Sequence, residues 1–125
     1  MDCNFSKTMT DSANHFEWFD SLPCSVTVCD ANYTILYMND RSAEVNAKDG
    51  GKSLIGKSLL DCHPPQAQEK LRKVMASGRP NVYTIEKNGV RKMIVQSHWR
   101  TGGVVGGLVE ISFELPNEVP HFVRT

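Results

Sequence analysis

The chain has 125 residues, 40% of them hydrophobic, which suits one domain with a packed core that needs neither disulfide nor metal staples. Its 14 Lys and Arg balance 14 Asp and Glu, so no surplus of positive charge exists to neutralise nucleic-acid phosphates or anionic lipid, and nucleic acid is not expected as a partner. The opening MDCNFSKTMT lacks an apolar leader core and no later run is long enough for membrane insertion; the 4 cysteines, Cys3, Cys24, Cys29 and Cys62, therefore read as reduced thiols of a cytoplasmic protein.

Residues 1–11 show no periodic pattern and are expected to fray. From Ser12, SANHFEWFDSLP offers a serine cap followed by Phe16, Trp18, Phe19 and Leu22 before Pro23, which predicts a short helix with a broad apolar surface. SVTVCD and YTILYMN, separated by the turn residues AN, predict two antiparallel strands. DRSAEVNAKDGGKSLIG is polar and contains paired glycines, suiting short helical turns and loop rather than core. KSLLDC adds one more turn. Pro64 then pushes His63 out of the α region, while Pro65 suits the first turn of a new helix.

In PQAQEKLRKVMASG the apolar Ala67, Leu71, Val74 and Met75 fall at i, i+4, i+7 and i+8, with Gly78 placed to end the helix and Pro80 beyond it. Three strands should follow, NVYTIEK, VRKMIVQSHWR and VVGGLVEISFEL, joined by NG and TGG turns. In the last, Val109, Ile111, Phe113 and Leu115 share one face, expected to be covered, and Glu110, Ser112 and Glu114 the other, expected to be wet. The tail, residues 116–125, is split by Pro116 and Pro120 and should be irregular.

This order, with FEWFDSLPCSVTVCDANYTILYMNDRSAE at its start, LIGKSLLDC in the middle and KVMASGRP at the end of the longer helix, resembles the PAS family of sensory domains over residues 12–115. Asn39 falls where the family's second strand gives way to the first middle helix. The resemblance implies an α+β fold: a five-stranded antiparallel sheet with helices packed on one face, an N-terminal flanking helix and a small pocket between sheet and helices. It also implies a non-enzymatic sensory or regulatory module that binds a small molecule, forms a homodimer and controls an output domain such as a histidine kinase or diguanylate cyclase. Two departures stand out. The last strand runs into FELPNEVP, whose prolines interrupt a continuous helical lever, and KSLLD follows Gly56 where the flavin photosensors carry a reactive cysteine motif, so flavin adduct chemistry is not supported.

Cys62 and His63 stand side by side, yet neighbours in sequence point about 100° apart on a helix or to opposite faces of a strand. Adjacency does not bring a base within reach of its nucleophile, and the chain lacks the spacings that present two metal ligands from one segment. The prolines account for the pair as a hinge. His63 alone is a candidate ligand-binding residue, and several haem-binding members of the family ligate iron from the helical half of the pocket, so haem through His63 is carried as an alternative to plain helix termination. Tyr37, Tyr83 and Trp99 are further candidates for the pocket lining, Trp99 because it shares a strand face with Met93, Val95 and Ser97. Phe16, Trp18 and Phe19 are candidates for a dimer interface, since a broad aromatic surface is costly to leave wet. The alternative to a ligand sensor is a ligand-free protein-protein interaction module; a thiol or metal enzyme would need a second catalytic partner that the sequence does not display.

Overall fold

A computed structural model describes residues 17–125. Helix α1 is Glu17–Asp20, followed by β1 (Ser25–Asp30), β2 (Ile35–Met38), α2 (Asp40–Val45), three short 3-10 turns ending at Cys62, α3 (Pro65–Ser77), β3 (Asn81–Lys87), β4 (Val90–Thr101) and β5 (Val104–Glu114). The strands form one antiparallel sheet in the order β2-β1-β5-β4-β3. The fold is therefore the expected α+β sheet with helices on one face and a short N-terminal helix; Phe16 and the expected helix start at Ser12 lie outside the described residues.

Local chemistry sets the connections. Asp30 Oδ1 accepts hydrogen bonds from the backbone N–H of Asn32 (2.9 Å) and Thr34 (3.0 Å), an Asx-type turn that reverses the chain between β1 and β2. Asn88 (φ 54°) with Gly89 (φ 79°), and Gly102 (φ 58°) with Gly103 (φ 82°), supply the consecutive left-handed residues that a two-residue hairpin requires. Pro65 occupies the first turn of α3 and Gly78 ends it in the left-handed region at φ 67°. Leu71 and Val74 of α3 pack with Cys29 of β1 and Leu108 of β5 in one core cluster; Ile35, Met38 and Leu54 form a second.

Two sequence expectations are overturned here. The segment DRSAEVNAKDGGKSLIG forms the expected short helical turns but does not stay out of the core: Ser42 is fully buried and Leu54 is 5% exposed, because α2 and the turn Gly51–Leu54 close one end of the core. The two faces of β5 are also reversed. Cys29 pairs with Leu108 and both meet α3, so alternation turns Glu110, Ser112 and Glu114 toward the helices and Val109, Ile111 and Phe113 away from them. The inner polar residues are satisfied by one another: Asn81 Nδ2 donates to Gln96 Oε1 (2.9 Å) and Gln96 Nε2 to Glu110 Oε2 (2.8 Å). Across the next strand Thr27 and Ser42 share a hydroxyl-hydroxyl bond of 2.5 Å. On the outer face Val82, Val95, Ile111 and Val26 stand in register across four strands.

Asn39 ties the N-terminal half together. Its side chain is 0% exposed. Oδ1 accepts from the N–H of Val26 and of Ser42, both 2.9 Å, the second capping α2. Nδ2 donates to the carbonyls of Phe19 (3.1 Å) and Cys24 (2.8 Å). One amide thus fixes α1, the entry to β1 and the start of α2.

Asn39→Ala would leave several of these backbone groups without partners in a dry site, at about 1–3 kcal/mol for each one that water does not reach, so a loss of roughly 3 kcal/mol is expected in urea unfolding. Asn39→Asp, which keeps the acceptor but sets a carboxylate against two carbonyls, should not rescue it. A second prediction concerns α1. Tyr37 Oη donates to Asp20 Oδ1 at 2.6 Å, and burial first, then the bond to and charge of Asp20, raise the phenol well above the ordinary tyrosine range. The folded pKa is raised, so the stabilisation is complete below the unfolded value of about 10 and is lost as pH rises through the folded one. Tyr37→Phe should cost about 1 kcal/mol at neutral pH, and the gap between variant and parent in denaturant midpoint should narrow as the buffer is taken past about pH 10.

Candidate functional site

Between the inner face of the sheet and the 3-10 turns lies a small, partly open cavity of about 100 Å³. Its walls are Ile35, Met38, Leu54 and Leu59, and its polar groups come from Thr27, Asn46, Cys62, His63 and Glu110. Apolar and polar groups share this lining about equally, whereas the usual small-molecule site is mostly apolar with a few convergent polar groups. A larger groove, about 620 Å³, runs beside α3 past Lys70, Lys73 and Arg79, but it is open to solvent and offers a ligand little burial.

Each polar group is held from behind. His63 follows the turn Leu59–Cys62 with extended backbone (φ −123°, ψ 144°), as the residue before a proline must be. Its Nδ1 lies 2.8 Å from the Leu59 carbonyl, and since a carbonyl only accepts, Nδ1 carries the proton and Nε2 of the neutral ring is an acceptor. Asn46 Nδ2 donates to the Ser42 carbonyl at 2.9 Å. Glu110 is oriented by Gln96, whose own amide is oriented by Asn81.

Of the four predicted lining residues, only His63 borders this cavity. Tyr37 pairs with Val28 in the sheet and turns its hydroxyl to Asp20 of α1. Tyr83 sits on the edge strand, 38% exposed, with Lys70 Nζ 5.8 Å from its ring centre. Trp99 alternates to the face opposite His98, whose Nε2 meets the carbonyls of Val74 and Met75 in α3. The Trp99 Nε1–H donates to the Cys29 carbonyl (2.9 Å), and its ring crosses Gly106 where any Cβ would collide with it. Strand alternation was the right rule for Trp99, applied to the wrong face.

The cavity is well below the roughly 300 Å³ at which pockets for drug-sized ligands begin, so the residues as arranged do not fit a haem. Trp18 is 54% exposed and stacks on Phe19 with ring centres 3.5 Å apart, leaving aromatic surface on α1. Sequence reasoning missed Glu110, Asn46 and Thr27. The one available cue was that Gln96 and Glu110 are long polar side chains near the centres of their strands, each flanked on the chain by an apolar neighbour, Val95 and Val109.

Cys62 and His63, a hinge by their backbone, thus face a common cavity. Burial first, then the Asp49 and Asp61 carboxylates, raise the Cys62 thiol above its ordinary value, with Lys57 opposing. At pH 8 the folded protein should therefore alkylate at Cys62 more slowly with iodoacetamide than the urea-unfolded chain does, as peptide mass spectrometry would read it, and the rate should climb only above about pH 9. Equal rates in both states would contradict this.

Comparison with known proteins agrees with the architecture. No curated protein matches the chain in sequence. Among solved structures, the PAS domain of an HTR-like protein from Haloarcula marismortui superposes with TM-score 0.64 at 15% identity, over 92% of this chain and 100% of that one. A sensory box sensor histidine kinase from Vibrio cholerae gives 0.60 at 16% identity, over 89% and 98%. VqmA, a Vibrio cholerae protein, in its structure bound to DPO gives 0.62 at 18% identity, over 82% of this chain and 57% of that one. The chain therefore spans little more than half of VqmA. The family model described as the PAS fold matches residues 19–97, from the end of α1 to the inner strands that carry Gln96, and the chain belongs to the PAS fold family.

Proposed function

We propose that this domain is a non-enzymatic sensory module of a signalling protein, in which a small molecule occupying the cavity beneath the sheet controls an output domain or partner. The observation that carries this reading is the small cavity beneath the sheet, lined by both apolar and polar side chains drawn from β1, β2, the 3-10 turns and β5. A ligand there touches segments that are far apart in sequence, so filling the space can favour one arrangement of sheet and turns over another, which is the differential affinity a switch requires. Relatives of the same fold support it: one is a histidine kinase's sensory box and another holds DPO. Such a module would work in the cytoplasm. Among the described residues no helix is long and apolar enough to cross a membrane.

The outer face of the sheet supports a second role, homodimerisation. The row Val82, Val95 and Ile111, with the exposed Phe113 on the same strand face, is apolar surface of the kind that a second copy covers. Should that face act alone, with no ligand bound, the domain is an interaction module.

Two measurements separate these readings. Native mass spectrometry of gently purified protein should show a retained small molecule, and a cavity-filling Leu54→Phe should remove it. Sedimentation should show a dimer that Ile111→Lys dissociates without displacing that molecule. A stable dimer with no bound molecule would leave the interaction module as the function.

A further inference from the structure

The strand order β2-β1-β5-β4-β3 leaves one side of β3 without a neighbouring strand among the described residues. Lys87 and Val90 flank the Asn88-Gly89 turn, so they exchange the first ladder bonds, and Ile85, Tyr83 and Asn81 bond to β4 in the same way at every second position. The Arg91 carbonyl, which accepts from the Leu115 N–H on the β5 side (2.8 Å), obeys the same alternation. The N–H and C=O groups of Val82, Thr84 and Glu86 therefore point away from the sheet. Edges of this kind are commonly blunted by a proline, a bulge or a covering loop. β3 contains no proline, its register with β4 is unbroken over Asn81–Lys87, and it is exposed from Val82 to Lys87.

The helix side of this edge is positively charged. Asn81 donates to Gln96 on that side of the sheet, so Tyr83, Ile85 and Lys87 share it by alternation. There the edge meets the open groove along α3, which Lys70, Lys73 and Arg79 line beside Asn81, and Lys70 Nζ stands 5.8 Å from the Tyr83 ring centre. Glu69, the carboxylate of that groove, is paired with Lys73 at 3.6 Å. Among the described residues Lys70, Arg79 and Lys87 enter no ion pair. Glu86 belongs to the other face of the strand, opposite Arg91, where Val82 stands beside Val95.

We infer that the β3 edge accepts an extended acidic segment of a partner protein as an additional strand. The segment's backbone meets the outward groups of Val82, Thr84 and Glu86. Its alternate acidic side chains lie on the helix side, toward Lys70, Lys73 and Arg79 at one end and Lys87 at the other, and its apolar side chains lie beside Val82 on the outer face. In strand addition the main-chain bonds supply affinity and the alternating side chains supply selectivity. A second copy of β3 does not have this pattern, because its helix-side residues Asn81, Tyr83, Ile85 and Lys87 include no carboxylate. An open groove that buries little of a small molecule still suits a strand anchored along its edge. The surface is separate from the cavity and does not depend on the cavity being occupied.

The test uses the full chain with two fluorescein-labelled peptides as long as β3, one alternating glutamate and valine, the other lysine and valine, read by fluorescence anisotropy at low ionic strength. The acidic peptide should bind saturably and at least about tenfold more tightly than the basic one, and added salt should weaken it. With the acidic peptide bound, the amides of Val82, Thr84 and Glu86 should exchange hydrogen more slowly, while those of Tyr83 and Ile85, already in the ladder, change little. Thr84→Pro removes one outward N–H at an edge position where proline is tolerated and should weaken the acidic peptide by about three- to tenfold. Lys70→Glu combined with Arg79→Glu should reverse the preference between the peptides. Absence of saturable binding by the acidic peptide, equal binding of both peptides, unchanged affinity in a folded Thr84→Pro, or unchanged exchange at Val82, Thr84 and Glu86 overturns the proposal. Should Thr84→Pro fail to fold, the exchange measurement on the parent chain decides by itself.

Discussion

The buried Asn39 amide is the constraint on which the rest of the site depends. Strand β1 carries Thr27 and Cys29 into the core, β2 carries Ile35 and Met38, and α2 leads into the 3-10 turns that form the floor of the cavity. All three elements meet at one residue whose two donors and two acceptor bonds are used within a dry environment. Water cannot substitute there, so the geometry is close to all-or-none. Aligning α2 with β1 in this way also brings Ser42 under Thr27, which sets where the cavity's wall begins.

From that anchor the sheet divides its chemistry between faces in an unusual manner. Toward the helices it presents a hydrogen-bonded polar row, Asn81, Gln96 and Glu110, and away from them an apolar row, Val82, Val95, Ile111 and Val26. An inner face made only of aliphatic side chains would have closed up by packing. The polar row instead preserves an oriented carboxylate at the centre of the domain, and its satisfaction end to end removes the penalty that buried polar groups otherwise carry. The outer apolar row, in turn, gives the domain a surface suited to assembly. In the proposed reading, ligand and partner would act on opposite faces of the same strands, so that a shift of β5 or β4 caused on one side would be felt on the other.

Membership in the PAS fold family, shown over residues 19–97, places these features in a fold used by sensory proteins, but the family does not specify what this cavity holds. That depends on side chains particular to this chain. Glu110, Asn46 and His63 contribute polar groups to its lining, and its volume of about 100 Å³ restricts what could enter it.

The sequence by itself determined the elements and their order. Periodicity marked α3 through Leu71 and Val74, proline and glycine marked its ends, and the NG and TGG turns separated β3, β4 and β5, because those signals are local and arise from backbone sterics and side-chain spacing. It also placed His63 at a break between helices, where the structure has it. Only the tertiary structure decided which face of β5 looks inward, because alternation divides a strand into two faces without naming the one that meets the helices. In the folded chain Leu108 packs with Leu71 and Val74, and that contact carries Glu110 inward with it. For the same reason Trp99 and Tyr37 left the expected pocket while Thr27, Asn46 and Glu110 entered it: a site assembled from distant segments is fixed by register and packing, neither of which a single stretch of sequence contains.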